Sequence, residues 1–370
     1  MSATPLSPSF DSRPISLTGD RPTGPLHLGH LVGSLRQRVA VQDTHRSFVM
    51  LADGQALTDH IDRRDRVQEA IRAVLLDYLA VGLDPERTTI FVQSMVPELF
   101  ELAFHFMPMV TVAQLERNPT IRKEIGQKYR YDTSLPHELV PRHIPMGFLA
   151  YPVSQAADIL AFDADVVPVG DDQVPMIEQA NRLAERFNAL TGTSTFKTCQ
   201  PMLSSVGRLM GMDGQEKMGK SLGNAFPLSA SSEEVKRLVR GMYTDPNHLK
   251  VSDPGRVEGN AVFAYLDALH PEPAEVEAMK AHYRRGGLGD SAVKAVLIQT
   301  LEDLLAPMRE RRAHAEASLD LEAIVLDGTA RARAQAKIKL DQVRDALGVG
   351  RSALRGLRRA GRPDEVAREA

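Results

Sequence analysis

Between residues 15 and 93 short buried runs alternate with long amphipathic ones, and that alternation leaves few folds open. Residues 15–17 form a brief apolar run that ends in Gly19, Pro22 and Gly24, and residues 28–41 continue with helical spacing. Residues 47–52 and 89–93 read as two further buried strands. Between them Val67, Ile71, Val74, Leu75, Tyr78 and Leu79 fall on one stripe of a helix over 62–79, closed by Gly82 and Pro85. Strands alternating with helices predict an α/β fold, a parallel sheet covered on both faces. In such a sheet the ligand belongs at the carboxyl ends of the strands, where the glycine-rich loop lies.

Further along, the texture changes twice. Residues 118–143 are polar, with Arg122, Lys123, Lys128, Tyr129, Arg130 and Tyr131 interleaved, and read as a long surface insertion or a loosely packed helix. Such mixing suits RNA contact through phosphates and bases, and equally suits a solvated loop. His137 and His143 have no cysteine or paired carboxylate at ligand spacing, so no metal site is expected there. Regular patterning resumes over 156–160, 166–169 and 173–187. Beyond Ser221 the chain reads as mostly helical, with a helix start at Ser232 and helices over 271–283, 291–305 and 319–346. We therefore expect a disordered lead (1–12), an α/β domain (13–221), a helical domain (222–348) whose last helix packs back on the first, and a basic tail (349–370).

Composition excludes several classes. No apolar run approaches the roughly 20 residues of a spanning helix, and the Ser/Pro-rich start lacks a basic-then-apolar segment, so a cytoplasmic setting without membrane contact is expected. Cys199 is the single cysteine, which rules out an intrachain disulfide and a cysteine-based zinc site. A net charge of -3 argues against a wholly basic surface, although a nucleic acid needs only a local stripe. Candidates for one are Lys236, Arg237 and Arg240; Arg284 and Arg285; and Arg331, Arg333, Lys337 and Lys339.

Two motifs carry chemistry. In Thr23-Gly24-Pro25-Leu26-His27-Leu28-Gly29-His30, Gly24 and Gly29 let backbone approach a nucleotide closely, and His27 and His30 can donate to phosphate oxygens. Far downstream, Lys217-Met218-Gly219-Lys220-Ser221 adds mobile positive charge. Nucleotidyl transfer is mainly positioning and charge neutralisation, so this pairing suits attack on an α-phosphate. The two motifs resemble the HIGH and KMSKS elements of class I aminoacyl-tRNA synthetases.

The resemblance narrows at Leu115-Glu116-Arg117, at the segment from Tyr151 to Leu160, and at Val166-Val167-Pro168-Val169-Gly170-Asp171-Asp172-Gln173. These are similar to the substrate pocket of tryptophanyl-tRNA synthetases, and the order and spacing of all the motifs agree from about residue 15 to 348. That family implies a Rossmann-like catalytic domain with a helical anticodon-binding domain, ATP with Mg²⁺ on its phosphates and no resident metal, tRNA(Trp) as partner, and a homodimer. It implies His27, His30, Lys217 and Lys220 as catalytic, and Arg21, Thr23, Gly24, Gly29, Gly170, Asp172, Met218 and Ser221 around ATP. For tryptophan it implies Asp158 as acceptor for the indole N–H, Tyr151 and Gln173 at the ammonium, Gln155 at the indole edge, and Leu17, Ile159, Val167 and Val169 as walls. An indole N–H only donates, so a buried acceptor discriminates against rings that lack it.

The chain departs from the family at four places. Gln155 stands where many relatives have Met, Arg21 replaces a Gln, Gly219 replaces a Ser, and Asp53-Gly54-Gln55-Ala56 replaces Asp-Gln-His-Ala, which leaves Gln55 without an assigned role. The cluster suggests a divergent or second copy. A tyrosyl-tRNA synthetase and a non-aminoacylating paralogue that binds tryptophan or a partner are the competing readings.

Overall fold

The computed structural model describes residues 11–129, 144–204, 206, 209–214, 218–219 and 222–357, apart from the side chains of 59 and 355–357. Five parallel strands form the sheet: β1 (Ile15–Asp20), β2 (Arg46–Leu51), β3 (Thr88–Val92), β4 (Val166–Val169) and β5 (Gln200–Leu203), in the order β3-β2-β1-β4-β5. Leu17 lies beside Phe48, and Phe48 beside Thr89. The chain winds outward from β1 to β3 and then returns to the far side of β1 with β4. The winding direction therefore reverses between β1 and β4, and a crevice opens there at the carboxyl ends of the strands.

β1, β2 and β3 are almost wholly buried because helices cover both faces, whereas the edge strand β5 is exposed at both ends. On one face Phe48, Phe91 and Phe162 pack ring against ring, with Leu17, Ile159 and Val167 in the same cluster. On the other, Leu26, Leu28, Val74 and Tyr78 share a core with Phe263, Leu297, Leu301 and Leu305 from the helix-rich part of the chain. No described helix is long and apolar enough to cross a membrane.

The final long helix, Leu321–Leu347, lies against β3. Its close approach requires Gly328, where an added Cβ would sit 1.9 Å from the carbonyl oxygen of Ile90. Ala332, Ala336, Leu340 and Val343 fill the seam. Arg333 pairs with Glu98 at 2.9 Å, and Lys339, only 4% exposed, pairs with Asp163 at 2.8 Å. Both cations, sequence candidates for a nucleic-acid stripe, are thus engaged in holding this helix to the sheet layer.

The sequence does not predict β5, which is four residues long, holds Pro201 and is exposed at both ends, and two segments take a form other than the expected one. The helix expected over 28–41 contains a π-helical turn, Leu31–Leu35, which apolar spacing does not reveal. Within 118–143, Pro119–Tyr129 is a helix docked by Thr120 Oγ1 donating to the Asp172 carbonyl (2.8 Å) and by buried Ile121 and Ile125. It is therefore not loosely packed. Lys128 and Tyr129 lie against the Phe148 ring. Residues 1–10 of the expected lead, Arg130, Tyr131, His137 and His143, and 358–370 of the expected tail lie outside the described residues.

Candidate active site

The loop after β1 carries the first motif to the sheet's crevice. Gly24 takes φ +141°, a conformation that L side chains rarely adopt. His27 then caps the helical stretch that begins at Leu28. The backbone N–H of His27 donates to Nδ1 of His30 at 3.2 Å. That makes Nδ1 the acceptor of the His30 ring and leaves Nε2 as its N–H donor, the state suited to a phosphate oxygen. The two imidazoles lie 3.9 Å apart between centroids.

The second motif reaches the same loop. Gly29 N–H points at Met218 Sδ at 3.3 Å, and a Cβ at Gly29 would crowd His27 Nδ1 at 2.9 Å. Beyond the lysine motif the chain runs alongside the first loop: Leu28 N–H donates to the Phe226 carbonyl (2.9 Å) and Leu228 N–H to that of Leu26 (3.0 Å). Asn224 secures the turn by accepting from Gly219 N–H (2.9 Å) while its amide donates to Asp213 (3.1 Å). A cleft of about 190 Å³ opens between the strips, lined by Thr23, Gly24, Pro25, Leu26, His27, Ala225 and Pro227. Met218 and Gly219 are thus next to the paired histidines, whereas Lys217, Lys220 and Ser221 lie outside the described residues.

Across the crevice, helix Met146–Leu160 presents Asp158, which is 1% exposed. Among the described residues no cation meets its carboxylate. Two amides do: Gln93 Nε2 donates to both oxygens (2.8 and 3.0 Å), and Gln55 Nε2 to Oδ2 (2.5 Å). Gln93 is itself oriented by Gln55, whose backbone N–H donates to Gln93 Oε1 at 2.9 Å. Burial pushes the Asp158 carboxyl up to about 7, against the opposing pull of the Gln93 and Gln55 bonds. Gln55, left without a role by sequence, is therefore one of the two clamps on this acceptor.

The remaining candidates gather around it. Leu17, Ile159 and Val167 are buried apolar surface beneath the crevice, with Val169 partly buried against the same cluster. Gln155 Nε2 donates to Gln173 Oε1 at 3.3 Å, which places the two side by side. Tyr151 O–H donates to Glu124 at 3.0 Å, a partner on the docked helix Pro119–Tyr129. Gly170 and Asp172 sit in the turn that follows β4, and Arg21 and Thr23 in the loop after β1. Apart from Met218, which reaches the histidine loop from the strip beyond β5, the described candidates lie on the elements around β1 and β4.

Sequence reasoning missed Gln93, Glu124 and a buried ion pair at the foot of the nucleotide loop. In that pair Arg38 meets Asp20 at 2.5 Å, and Tyr78 O–H donates to Asp20 at 2.8 Å. Burial alone would raise the Asp20 carboxyl, but the Arg38 guanidinium, followed by His30, holds it well below the usual carboxylate range. Arg38 falls inside an expected amphipathic helix, and a residue of this type at β1's end carries no pattern by itself.

A parallel sheet whose winding order reverses beside a glycine-rich loop, with paired imidazoles next to Met218 of the second motif, is the arrangement of a class I synthetase domain. The family model of tRNA synthetases class I (W and Y) matches residues 11–306, and the chain belongs to that family. Within it, the chain is 49% identical over 346 residues to the tryptophan–tRNA ligase of Streptococcus pyogenes serotype M3, a match spanning 91% of this chain and 99% of that one. The corresponding ligase of Clostridium longisporum is 48% identical over 343 residues, spanning 91% and 98%. Among solved structures, Campylobacter jejuni tryptophanyl-tRNA synthetase complexed with ADP and tryptophan matches with a TM-score of 0.74 at 27% identity, covering 90% of this chain and all of that one.

Proposed function

We propose that this chain is a tryptophan–tRNA ligase. It condenses tryptophan with Mg-ATP into tryptophanyl-adenylate and pyrophosphate, then passes the acyl group to the terminal ribose of tRNA(Trp). The observation that carries this reading is a buried acceptor, Asp158, held by the amides of Gln55 and Gln93 just past the carboxyl ends of β2 and β3, together with the paired histidines that follow β1. Near-full-length relatives that are tryptophan–tRNA ligases support it.

In the first step a tryptophan carboxylate oxygen attacks the α-phosphorus, and the bond from that phosphorus to the bridging oxygen breaks. Pyrophosphate leaves with the electron pair. The carboxylate is already ionised at neutral pH, so no general base is needed. His27, His30, Lys217 and Lys220 neutralise the charge that builds on the phosphates, and Mg²⁺ enters as part of the substrate, on those same phosphates. Thr23, Gly24, Gly29 and Met218 frame the triphosphate, with Arg21 and Ser221 adding a cation and a hydroxyl. Gly170 lets backbone lie along the nucleotide, and Asp172 accepts from a ribose hydroxyl. Asp158 accepts the indole N–H, Tyr151 and Gln173 take the ammonium, Gln155 lies at the indole edge, and Leu17, Ile159, Val167 and Val169 enclose the ring.

Residues 13–221 act as the catalytic domain and 222–348 as the helical domain that reaches toward the anticodon, in a cytoplasmic enzyme. The enzyme works as a symmetric homodimer: Phe100, Phe104 and Met107 recur at helical spacing along one exposed stripe, an apolar face suited to a second copy. Pyrophosphate exchange into ATP, run with tryptophan, tyrosine and phenylalanine in turn and followed by tRNA charging, tests the function. Tryptophan alone should support both. Exchange with tyrosine would favour a tyrosyl enzyme, and tryptophan binding without exchange would favour the non-aminoacylating paralogue. An exchange rate matching ordinary family members would remove the idea of a slower second copy.

A further inference from the structure

Asp77 is a carboxylate the proposed chemistry does not use, yet it is 1% exposed and placed between the helix-rich part of the chain and the nucleotide loop. Its Oδ2 accepts from the backbone N–H of Leu26, the residue before His27, at 2.7 Å. Its Oδ1 accepts from Nη1 of Arg312 at 2.5 Å, and the same nitrogen also donates to the Ala73 carbonyl one turn earlier at 3.3 Å. Arg312 lies on the long helix Asp290–Ser318, distant in sequence from Leu26. The carbonyl of Leu26, in turn, accepts from Leu228 N–H on the strip that follows the lysine motif. Leu26 is therefore held from both sides, by a carboxylate bridged to a remote helix and by the segment that leads out of the second motif.

A buried carboxylate accepting one backbone N–H needs a counter-charge to stay ionised and correctly turned. Arg312 supplies it. Its neighbour Arg311 joins the same two helices by donating from Nε to the Ala80 carbonyl at 2.6 Å and, among the described residues, makes no bond to the loop. Both arginines dock the two helices, but only Arg312 also reaches the loop, through Asp77, so comparing the two by mutation isolates the loop contribution.

We infer that Arg312, acting through Asp77 and the backbone of Leu26, is a positioning residue for ATP, so that the seating of the helix Asp290–Ser318 sets the geometry of the histidine loop. This rests on the reading of that loop as the nucleotide site. A helix that shifts when the helical part of the enzyme engages its partner would then change the ATP site without touching the tryptophan pocket.

The test compares Arg312→Met, Arg312→Lys and Arg311→Ala in tryptophan-dependent pyrophosphate exchange, with urea unfolding of each variant in parallel. Wild-type exchange establishes the functional reading independently, and its absence would defeat that reading rather than this inference. Arg312→Met should raise the KM for ATP or lower kcat about tenfold, while the affinity for added tryptophan, read from its fluorescence, stays within about twofold. Arg312→Lys should restore most of the loss. Arg311→Ala should leave the ATP parameters within about twofold even if stability falls. Unchanged ATP parameters in Arg312→Met, or an equal effect from Arg311→Ala, would overturn the inference, as would a parallel loss of tryptophan affinity.

Discussion

Replacing Gln93 with leucine removes the bifurcated clamp on Asp158 while keeping a fully buried side chain of similar size. A hydrogen bond to a charged group contributes about 1.5–3 kcal/mol, so its loss should raise the carboxyl's titration by about one to two pH units. The wild-type group titrates near 7. At pH 7.5 its ionised fraction is about three quarters, and in the variant it would fall to between about a quarter and a few per cent. If the ionised carboxylate is the form that accepts the indole N–H, tryptophan binds about three- to twenty-fivefold more weakly at that pH. The sign follows from linkage. Ligand binding favours the ionised form, so affinity is lost as pH falls through the free-site value. In wild type the affinity should climb from pH 6 and level off above about pH 8, and in Gln93→Leu the climb should be displaced upward. The chain contains no tryptophan, so the emission of added tryptophan reports the ligand alone. A uniform loss of affinity at every pH, with the profile unmoved, would refute the role of Gln93 in holding the charge. The orphaned Gln55 N–H should cost about 1–3 kcal/mol of stability, which denaturation reads separately.

Other changes test other parts of the account. Lys220→Ala should lower the exchange kcat by about tenfold or more while the fluorescence-derived tryptophan affinity stays nearly constant, because its charge is needed in the transition state. Phe104→Glu places a carboxylate in the exposed apolar stripe with Phe100 and Met107, and should convert the proposed homodimer to a monomer in sedimentation velocity. Gly328→Ala forces a methyl into the Ile90 carbonyl and should destabilise the protein by about 2 kcal/mol or more in urea, by parting the last helix from β3.

Four strands of the parallel sheet were legible because buried strands are continuous apolar runs and the helices between them keep one stripe, whereas β5, half exposed and with Pro201 inside it, was not. Glycines and prolines punctuate both. The loop of His27 and His30 was legible as a motif, and its meeting with Met218 follows from the antiparallel run of residues 26–28 beside 226–228. What escaped was pairing across distance. Gln93 is an ordinary residue at the end of an expected strand, and only the fold brings it to Asp158, 65 positions away. Asp77 reads as one more polar residue of an amphipathic helix, whereas it is buried because Arg312 and Leu26 converge on it. Helix Pro97–Phe106 lacked a readable stripe since Leu99, Leu102 and Phe106 face the core while Phe100 and Phe104 are also apolar and exposed. Gln55 was noticed as a departure from the family, but a change of residue type announces an altered contact without naming its partner.

Mass spectrometry of a stoichiometric mixture of enzyme, ATP, Mg²⁺ and one amino acid, quenched within a single turnover, asks directly whether this site builds an acyl-adenylate. Tryptophan should give one enzyme-retained tryptophanyl-adenylate per active site with release of one pyrophosphate, and Asp158→Ala should sharply reduce its yield. An adenylate formed as readily from tyrosine or phenylalanine, or none from tryptophan, would contradict the account.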